Sequence, residues 1–210
     1  MIAAADEVII YDDVQFTKND WRNRNKIKTP KGVEWLSVPV GRNISRRIRD
    51  VELRDSRWQE KHWRALELNY RRASHFREIA VLFEPLYRRR NYTHLSELNR
   101  ALTEAVCVYL GITTKISNSW DYQLLGGQTE RLVDLCLQAG ATNYISGPAA
   151  RSYINEGSFS ERGIQLNWFD YSDYPEYPQL WGDFIPSVTI LDLLFNCGKD
   201  APRYMKHVRP

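Results

Sequence analysis

Residues 114–148 read TKISNSWDYQLLGGQTERLVDLCLQAGATNYISGP, and this stretch decides the fold class. Its apolar pattern predicts a short strand at 114–117, an amphipathic helix at 128–139 and a second short strand at 143–146. Strands that alternate with helices in this way are typical of a parallel α/β layer. The stretch therefore indicates an α/β fold.

Further strand patterns lie on both sides of this stretch. The run at 7–11 is short and rich in β-branched residues, and another strand pattern follows at 164–169. Apolar runs at 26–29 and 34–40 flank Pro30-Lys31-Gly32, which is turn chemistry and predicts a β-hairpin. The fold class that we expect is α/β, with a mainly parallel sheet, flanking helices and a β-hairpin near the N-terminus.

A helical block interrupts this pattern in the middle of the chain. Apolar residues at helical spacing predict three helices, at 56–73, 76–88 and 95–110. Ser56 is the predicted N-cap of the first of them. We expect the block, at about residues 56–111, to be an insertion in a single α/β domain over residues 1–210.

The composition is that of a folded globular protein. The chain has 210 residues, of which 43% are hydrophobic and 26% charged, and this balance argues against disorder. No apolar run approaches the ~20 residues that cross a bilayer, and the start of the chain lacks the features of a signal peptide. The three isolated cysteines argue against a disulfide framework and favour a reducing, cytoplasmic location. The four histidines pair with no cysteine at zinc spacing, so we expect no structural metal site.

The net charge of +3 conceals a basic segment. Residues 18–90 hold 20 Lys or Arg against nine Asp or Glu, whereas residues 1–17 and 91–210 are net acidic. Such a segment could attract a phosphorylated partner: a nucleotide-sugar, a nucleic acid or an anionic lipid surface. Alternatively, much of it is the solvated face of helices. The aromatic residues between these cations follow helical spacing, which indicates a core and argues against a nucleic-acid surface.

Polar residues follow three of the predicted strands. They are Asp12, Asp13 and Gln15 after the first strand, Ser117, Asn118 and Ser119 at the end of the strand at 114–117, and Ser146, Gly147 and Pro148 at the end of the strand at 143–146. Ligands of parallel sheets bind at the carboxyl ends of the strands, so these residues are candidates for one site. Carboxylates there could hold Mg²⁺, accept a proton or bind a substrate amine, although a helix cap or a turn would use the same residue types.

The segment Trp21-Arg22-Asn23-Arg24-Asn25 concentrates hydrogen-bond donors. Arginine binds phosphate or carboxylate with two parallel hydrogen bonds. In an extended segment Arg22 and Arg24 would share one side and Asn23 and Asn25 the other, so that one pair faces a ligand. The alternative interpretation is a polar loop without a ligand.

Another polar set lies near the C-terminus. Two side chains, Tyr177 and Gln179, precede an apolar helix that we predict at 188–195. Three more are spaced to lie on one face of that helix: Thr189, Asp192 and Asn196. Polar side chains on an apolar helix need partners if they are buried, so these three are either structural supports or part of a polar site.

Several of these motifs together resemble one family. The stretches that carry the resemblance are Tyr11-Asp12-Asp13-Val14-Gln15-Phe16, Trp21 with Asn23-Arg24-Asn25, Trp35-Leu36-Ser37-Val38-Pro39-Val40, Tyr144-Ile145-Ser146-Gly147, Tyr177 with Gln179, and Thr189-Ile190-Leu191-Asp192-Leu193-Leu194-Phe195-Asn196 with Gly198. In this order, and across nearly the whole chain, they resemble the WbqC-like family of bacterial proteins. The resemblance implies a role in the biosynthesis of surface polysaccharide, notably O-antigen, by transfer of an aminoacyl or acyl group to an amino sugar.

Two departures from the family pattern bear on the site. Thr189 stands where the family usually has serine, which keeps the hydroxyl group. The family pattern also begins with a strand, a Gln-Pro loop and a helix ahead of Asp12, and this chain lacks them. We therefore expect the first strand-and-helix unit of the family's sheet to be missing here.

The function that we expect is that of a transferase that forms an amide on an amino sugar. The acceptor would be nucleotide-linked, and the second substrate would be an acyl or aminoacyl donor. Asp12 or Asp13 would orient or deprotonate the acceptor amine. Arg22 and Arg24 would hold phosphate or carboxylate. The remaining substrate contacts are assigned to Gln15, Asn23, Asn25, Ser146, Gly147, Tyr177 and Gln179, with Thr189, Asp192 and Asn196 as supports.

Two other classes of function fit the same residues. An ATP-dependent ligase or nucleotidyl-transfer enzyme would bind ATP and Mg²⁺ at the ends of the strands. A non-enzymatic module would bind a glycan or a nucleic acid through the basic segment.

Overall fold

A computed structural model describes residues 1–17 and 19–208. The strands are β1 (Glu7–Ile10), β2 (Arg24–Thr29), β3 (Gly32–Ser37), β4 (Lys115–Asn118), β5 (Asn143–Ser146) and β6 (Gln165–Trp168). The helices are α1 (Arg57–Tyr70), α2 (Phe76–Arg88), α3 (Leu95–Tyr109), α4 (Gln128–Gln138), α5 (Glu156–Ser160) and α6 (Ile190–Cys197). Lys18, one cation of the basic segment, lies outside the described residues.

The chain forms two compact units. The first unit holds Met1–Asp13 and Thr113–Asp173, with β1, β4, β5, β6, α4 and α5. The second unit holds Val14–Ile112 and the chain from Tyr174 onward, with the remaining two strands and four helices of the described residues. Helices α1 to α3 occupy the predicted helical block, and its insertion in a single domain stays a prediction.

All parallel strand pairs of the described residues belong to the first unit. β1 pairs with β4, with Glu7 opposite Lys115, and β5 pairs with β6, with Asn143 opposite Gln165. The expected α/β character is confirmed, but these strands form two separate pairs and not one continuous parallel sheet. Each strand has four residues, so each pair closes few hydrogen bonds and depends on apolar packing for its stability.

Helix α4 contributes to the core of the first unit. Val133 and Cys136 of this helix are buried with Phe159 and Ile164. Tyr144 of β5 stacks on Phe159, with ring centroids 5.0 Å apart. The apolar face that the spacing of the helix predicts is therefore the face that it buries.

The predicted hairpin is formed by β2 and β3 in the second unit. The two strands are antiparallel with Thr29 opposite Gly32, so two residues form the turn. Gly32 has φ 106°, a conformation that favours glycine. β3 ends at Ser37, earlier than the predicted run to residue 40, because Pro39 has no N–H to donate to a strand partner.

Helices α1, α2 and α3 each bury one face in the core of the second unit. Helix α2 has the predicted bounds, whereas α1 ends three residues before the predicted residue 73. Ser56 holds the N-cap position of α1 but makes no capping bond, and the N–H of Arg57 donates instead to Oδ1 of Asp55 at 2.8 Å.

Across the described residues, no helix is both long enough and apolar enough to cross a membrane.

Helix α6 starts two residues later than predicted. Thr189 is its N-cap, and the Oγ1 of Thr189 accepts a hydrogen bond from the N–H of Leu191 at 3.4 Å. The predicted helix at 188–195 is therefore wrong at both ends, since α6 runs on to Cys197. Asp192 remains within the helix, whereas Thr189 caps it.

Candidate functional site

The second unit contains a cavity of about 400 Å³ between its hairpin and its helices. The segment 21–25 lines one side of it, and residues of α1, α2, α3 and α6 line the others. The apolar lining residues are Trp21, Ile27, Leu36, Val38, Trp58, Leu66, Phe83, Tyr87, Leu98, Leu102, Val106, Ile190 and Leu191. A cavity of this size and apolar character is typical of a small-molecule site.

The two predicted anion-binding arginines both line this cavity but have different partners. Arg22 donates to the carboxylate of Asp20 and, at 3.3 Å, to Oγ1 of Thr17. Arg24 lies over the ring of Trp35, with its Cζ 4.2 Å from the ring centroid. No acidic side chain in the described part of the chain pairs with Arg24. Arg24 is therefore the cation of this pair that a ligand anion would neutralise.

The asparagines of the same segment are held by neighbouring backbone groups. Nδ2 of Asn23 donates to the carbonyl of Val38 at 3.1 Å, and Oδ1 of Asn25 accepts from the next backbone N–H at 2.8 Å. Nδ2 of Asn99, on α3, donates to the carbonyl of Arg22 at 2.9 Å. These bonds tie the segment to the hairpin and to α3, so its polar side chains have a defined position at the cavity.

Two polar atoms of this segment are buried without a hydrogen-bond partner among the described residues. They are Oδ1 of Asn23 and Nε of Arg24. An unpaired buried polar atom costs about 1–3 kcal/mol, and folded proteins keep few of them. Because both residues line the cavity, a polar ligand that reached these atoms would remove that cost.

His62 of α1 adds a neutral ring to the cavity wall. Its Nε2 lies 3.1 Å from the carbonyl oxygen of Ser37, so Nε2 carries the proton and donates, because a carbonyl only accepts. Burial lowers the pKa of His62 to about 4, although the bond to Ser37 opposes that shift. The ring is therefore uncharged at neutral pH, and the charged lining residues are Arg22 and Arg24.

Thr189 joins α6 to the hairpin at the same cavity. Its N–H donates to the carbonyl of Lys26 at 2.8 Å, while its hydroxyl caps the helix. The structure thus brings this residue to the lining that holds the segment 21–25. Its role as a support of a substrate site stays a prediction.

A buried polar network connects β2, α1 and α6 in the second unit. The hydroxyl of Tyr70 donates to Oδ2 of Asp192 at 2.7 Å and accepts from the N–H of Lys28 at 2.8 Å. Nδ2 of Asn196 donates to Oδ1 of Asp192 at 3.3 Å. Burial raises the pKa of Asp192, although hydrogen bonds from Tyr70 and Tyr177 oppose the rise. Asp192 and Asn196 are therefore held inside the protein by one another and by neighbouring elements.

Lys28 and Gln179 connect this network to the loop before α6. Lys28 is only 1% exposed, and its Nζ donates to Oε1 of Gln179 at 2.9 Å and to the carbonyl of Asp183. Gln179 also accepts from the N–H of Ile185 at 2.9 Å and donates to Oη of Tyr177 at 3.0 Å. Both ends of the Gln179 amide are thus occupied within the protein. The contacts of Gln179 and Tyr177 with a substrate stay predictions.

Sequence reasoning missed three polar residues of these sites: Lys28, Tyr70 and His62. Tyr70 and His62 follow the helical spacing of apolar neighbours, which indicates a core position and gives no sign of their hydrogen bonds. A lysine is rarely buried without polar partners, and no nearby motif marks Lys28. Its partners lie about 150 residues further along the chain, so they follow only from the tertiary structure.

Gln15 lies at the surface of the second unit. Its Nε2 donates to the carbonyl of Ile44 at 3.4 Å, and its backbone forms an antiparallel bridge with Arg47. These contacts hold the loop that follows the hairpin. A role of Gln15 in substrate binding stays a prediction.

In the first unit, Asp12 and Asp13 follow β1 closely and are half-buried. Oδ2 of Asp13 accepts a hydrogen bond from the hydroxyl of Ser119 at 2.7 Å. Ser119 is fully buried and follows β4, the parallel partner of β1. Polar residues at the carboxyl ends of these two strands therefore meet, as in ligand sites of parallel sheets.

A second cavity, of about 690 Å³, lies in the first unit between β1 and β5. Its lining includes Tyr11, Ser146 and Gly147, so these strand-end residues share one surface. Each of the two bordering strands has a single partner strand in the described residues, β4 for β1 and β6 for β5. The substrate contacts predicted for Ser146 and Gly147 stay predictions.

The described residues contain neither a cluster of metal ligands nor an exposed thiol. Residues 1–17 and 19–208 contain no group of three or more His, Cys, Asp or Glu side chains that could hold a metal ion. The free cysteines Cys107, Cys136 and Cys197 are buried. Burial raises the pKa of Cys136 and of Cys197 to about 11, which keeps these thiols protonated at neutral pH.

Comparison with known proteins identifies a family and a relative. A model of the WbqC-like protein family matches residues 1–204. The chain is 54% identical over 212 residues to the uncharacterized protein Rv1507c of Mycobacterium tuberculosis, a match that covers 100% of this chain and 91% of that protein. No solved structure matches the chain.

Proposed function

Because the chain belongs to the WbqC-like protein family, we propose that it is a transferase that forms an amide on an amino sugar during the assembly of a bacterial surface polysaccharide. The observation that carries the proposal is the cavity whose lining includes two arginines and two asparagines. Arginine binds phosphate and carboxylate, and uncharged polar side chains fix the orientation of ligands by hydrogen bonds. Such a lining fits an anionic substrate of the transfer reaction.

The proposed reaction is attack of the sugar amine on the acyl carbon of an activated donor. The amide C–N bond forms, and the bond from the acyl carbon to the leaving group breaks, with its electron pair going to the leaving group. The nitrogen loses one proton, which passes to a carboxylate. We propose that Asp13 accepts this proton, with Asp12 as the alternative, because a neutral amine is the nucleophile and a carboxylate can accept its proton.

The bond from Ser119 supports the choice of Asp13. It holds Oδ2 of Asp13 at 2.7 Å from a fully buried hydroxyl, which fixes the orientation of the carboxylate. A general base contributes about 10²–10⁴-fold to a rate when its position relative to the substrate proton is fixed. The bond from Ser119 therefore holds the proposed base in a fixed orientation.

Steady-state kinetics of variants test these assignments. The purified protein is incubated with nucleotide-linked amino sugars and activated acyl or aminoacyl donors, and kcat and KM are measured. We expect Asp13→Asn to lower kcat about 100-fold or more. We expect Arg24→Gln to raise KM about tenfold with a smaller change in kcat, because Arg24 binds the anion in both ground state and transition state.

The matched control is Asp173→Asn. Asp173 is an exposed acid of the same unit as Asp13, and asparagine tolerates its φ of 54°. Unchanged rates in Asp13→Asn and Asp12→Asn would contradict the assignment of the base. Exchange of pyrophosphate into ATP would indicate a ligase instead, and a polynucleotide affinity that falls steeply with salt would indicate a nucleic-acid module.

A further inference from the structure

We propose that the cavity of the second unit binds the acyl donor, and that this donor carries an apolar acyl chain and an anionic group. This inference rests on the proposed function, because that function identifies the ligand as a donor. The preference of the cavity for an amphipathic anion is measurable without any transfer reaction.

Most of the wall is apolar and comes from helices. Trp58, Phe83 and Leu102 line it from α1, α2 and α3, and Leu191 lines it from α6. A sugar ring in contact with these side chains would leave hydroxyl groups without partners, which weakens binding. A hydrocarbon chain avoids that penalty and gains about fourfold in affinity for each fully buried methylene.

The charges of the lining lie on one side only. Arg22 and Arg24 are its charged members, and both belong to the segment 21–25. Arg22 pairs with Asp20, whereas Arg24 contacts Trp35 and, within the described residues, no acid. Because the lining contains no Asp or Glu, its electrostatic complement is a carboxylate or a phosphate held by Arg24.

The charged residues of the lining set the direction in which a ligand lies. His62 also lines the cavity, donates to the carbonyl of Ser37 and is uncharged at neutral pH. An anionic group therefore goes to the arginine segment, where Nε of Arg24 lacks a partner among the described residues, and the apolar chain goes to the apolar side chains of the helices. Trp21 lines the cavity and is 82% exposed, so it extends the apolar surface outward.

Calorimetric titration with three probes tests the inference without any variant. Octanoate has both a chain and an anion, octanol has the chain alone, and acetate has the anion alone. We expect octanoate to bind at least about tenfold more tightly than either of the others. Octanol that bound as tightly as octanoate, or octanoate that did not bind, would overturn the inference.

Two variants test whether octanoate binds in this cavity. Thr103→Trp introduces a large side chain at the lining from α3 and should weaken octanoate binding about tenfold or more. Val108→Trp is the matched control, because Val108 lies on the same helix, is 77% exposed and does not line the cavity. Arg24→Met should weaken octanoate about tenfold and leave octanol unchanged, with the exposed Arg54→Met as its control.

Thermal unfolding of each variant confirms that it is folded before its affinity is compared. If Thr103→Trp and Arg24→Met left octanoate binding intact, the octanoate site would lie outside this cavity. That result would overturn the inference. Amide formation from small acyl donors without octanoate binding would leave the proposed function standing and overturn only this inference. Octanoate binding as expected, with no amide from any donor, would support the amphipathic site and overturn the proposed function.

Discussion

At the scale of single residues, Asp192 shows how a carboxylate is accommodated in a protein interior. Asp192 is 0% exposed, and a buried ionisable group is costly unless hydrogen bonds satisfy it. Tyr70, Tyr177 and Asn196 supply such bonds. Since the hydroxyl of Tyr70 also accepts from the backbone of Lys28, one side chain connects three elements of the second unit.

We expect Tyr70→Phe to lower the free energy of unfolding by about 2 kcal/mol, because it removes a donor from buried Asp192 and an acceptor from the N–H of Lys28. Tyr92→Phe is the control. The hydroxyl of Tyr92 is buried and has no partner among the described residues, so its removal should leave stability unchanged or increase it. Urea denaturation measures both variants, and equal losses of stability would contradict the network.

His62 predicts a dependence of stability on pH. Its pKa in the folded protein is about 4 and its ordinary value is 6.5, so the unfolded chain binds a proton between these values and the folded one does not. The stability contributed by neutral His62 is therefore present above about pH 6.5 and is lost as the pH falls toward 4, by at most about 1.4 kcal/mol per unit.

The test compares the unfolding free energy of the wild type with that of His62→Gln between pH 7 and pH 4. Glutamine can still donate to the carbonyl of Ser37 but does not titrate. We expect the variant to show a smaller loss of stability as the pH falls. If NMR showed that the imidazole of His62 titrates near 6.5, that result would contradict its burial in the cavity lining.

At the scale of elements, the sequence predicted structure where local signals decide it. Helix α2 and strand β5 have the predicted bounds, because apolar spacing and flanking residues define them. The predicted start of α6 was wrong because a long-range contact determines where this helix begins. The N–H of Thr189 donates to the carbonyl of Lys26, and this bond to the hairpin holds Thr189 outside the helix.

The candidate site was predictable in its parts but not in its assembly. Composition and spacing singled out Arg22, Arg24 and Thr189 separately, and the structure brings all three to one cavity. Most of the apolar lining residues come from four helices, whose packing no local pattern specifies. For the same reason Lys28 was missed, since its role depends on partners in the loop before α6.

The cap of α6 gives a prediction at this scale. Thr189→Ala should lower the free energy of unfolding by about 1 kcal/mol, because the hydroxyl that accepts from the N–H of Leu191 is lost. Thr189→Ser is the control and should keep most of the stability, because serine is an equally good N-cap. Chemical denaturation measures the difference, and identical losses in the two variants would contradict the capping role.

At the scale of the whole molecule, the basic segment lies in the second unit together with the arginine-lined cavity. A local excess of positive charge raises the encounter rate with anionic ligands, and salt weakens this effect. The WbqC-like family match spans residues 1–204 and therefore includes both units. Both the proposed base, Asp13, and the proposed anion-binding residue, Arg24, lie within that match.

Tandem mass spectrometry of the product shows whether the protein joins an acyl group to the nitrogen of an amino sugar. Wild-type protein is incubated with an activated acyl donor and a nucleotide-linked amino sugar, in parallel with the same sugar already acetylated on nitrogen. We expect a product from the free amine alone, with fragment ions that place the acyl group on nitrogen. An acyl group on oxygen, an equal product from the acetylated sugar, or no product with any donor would overturn the proposed function.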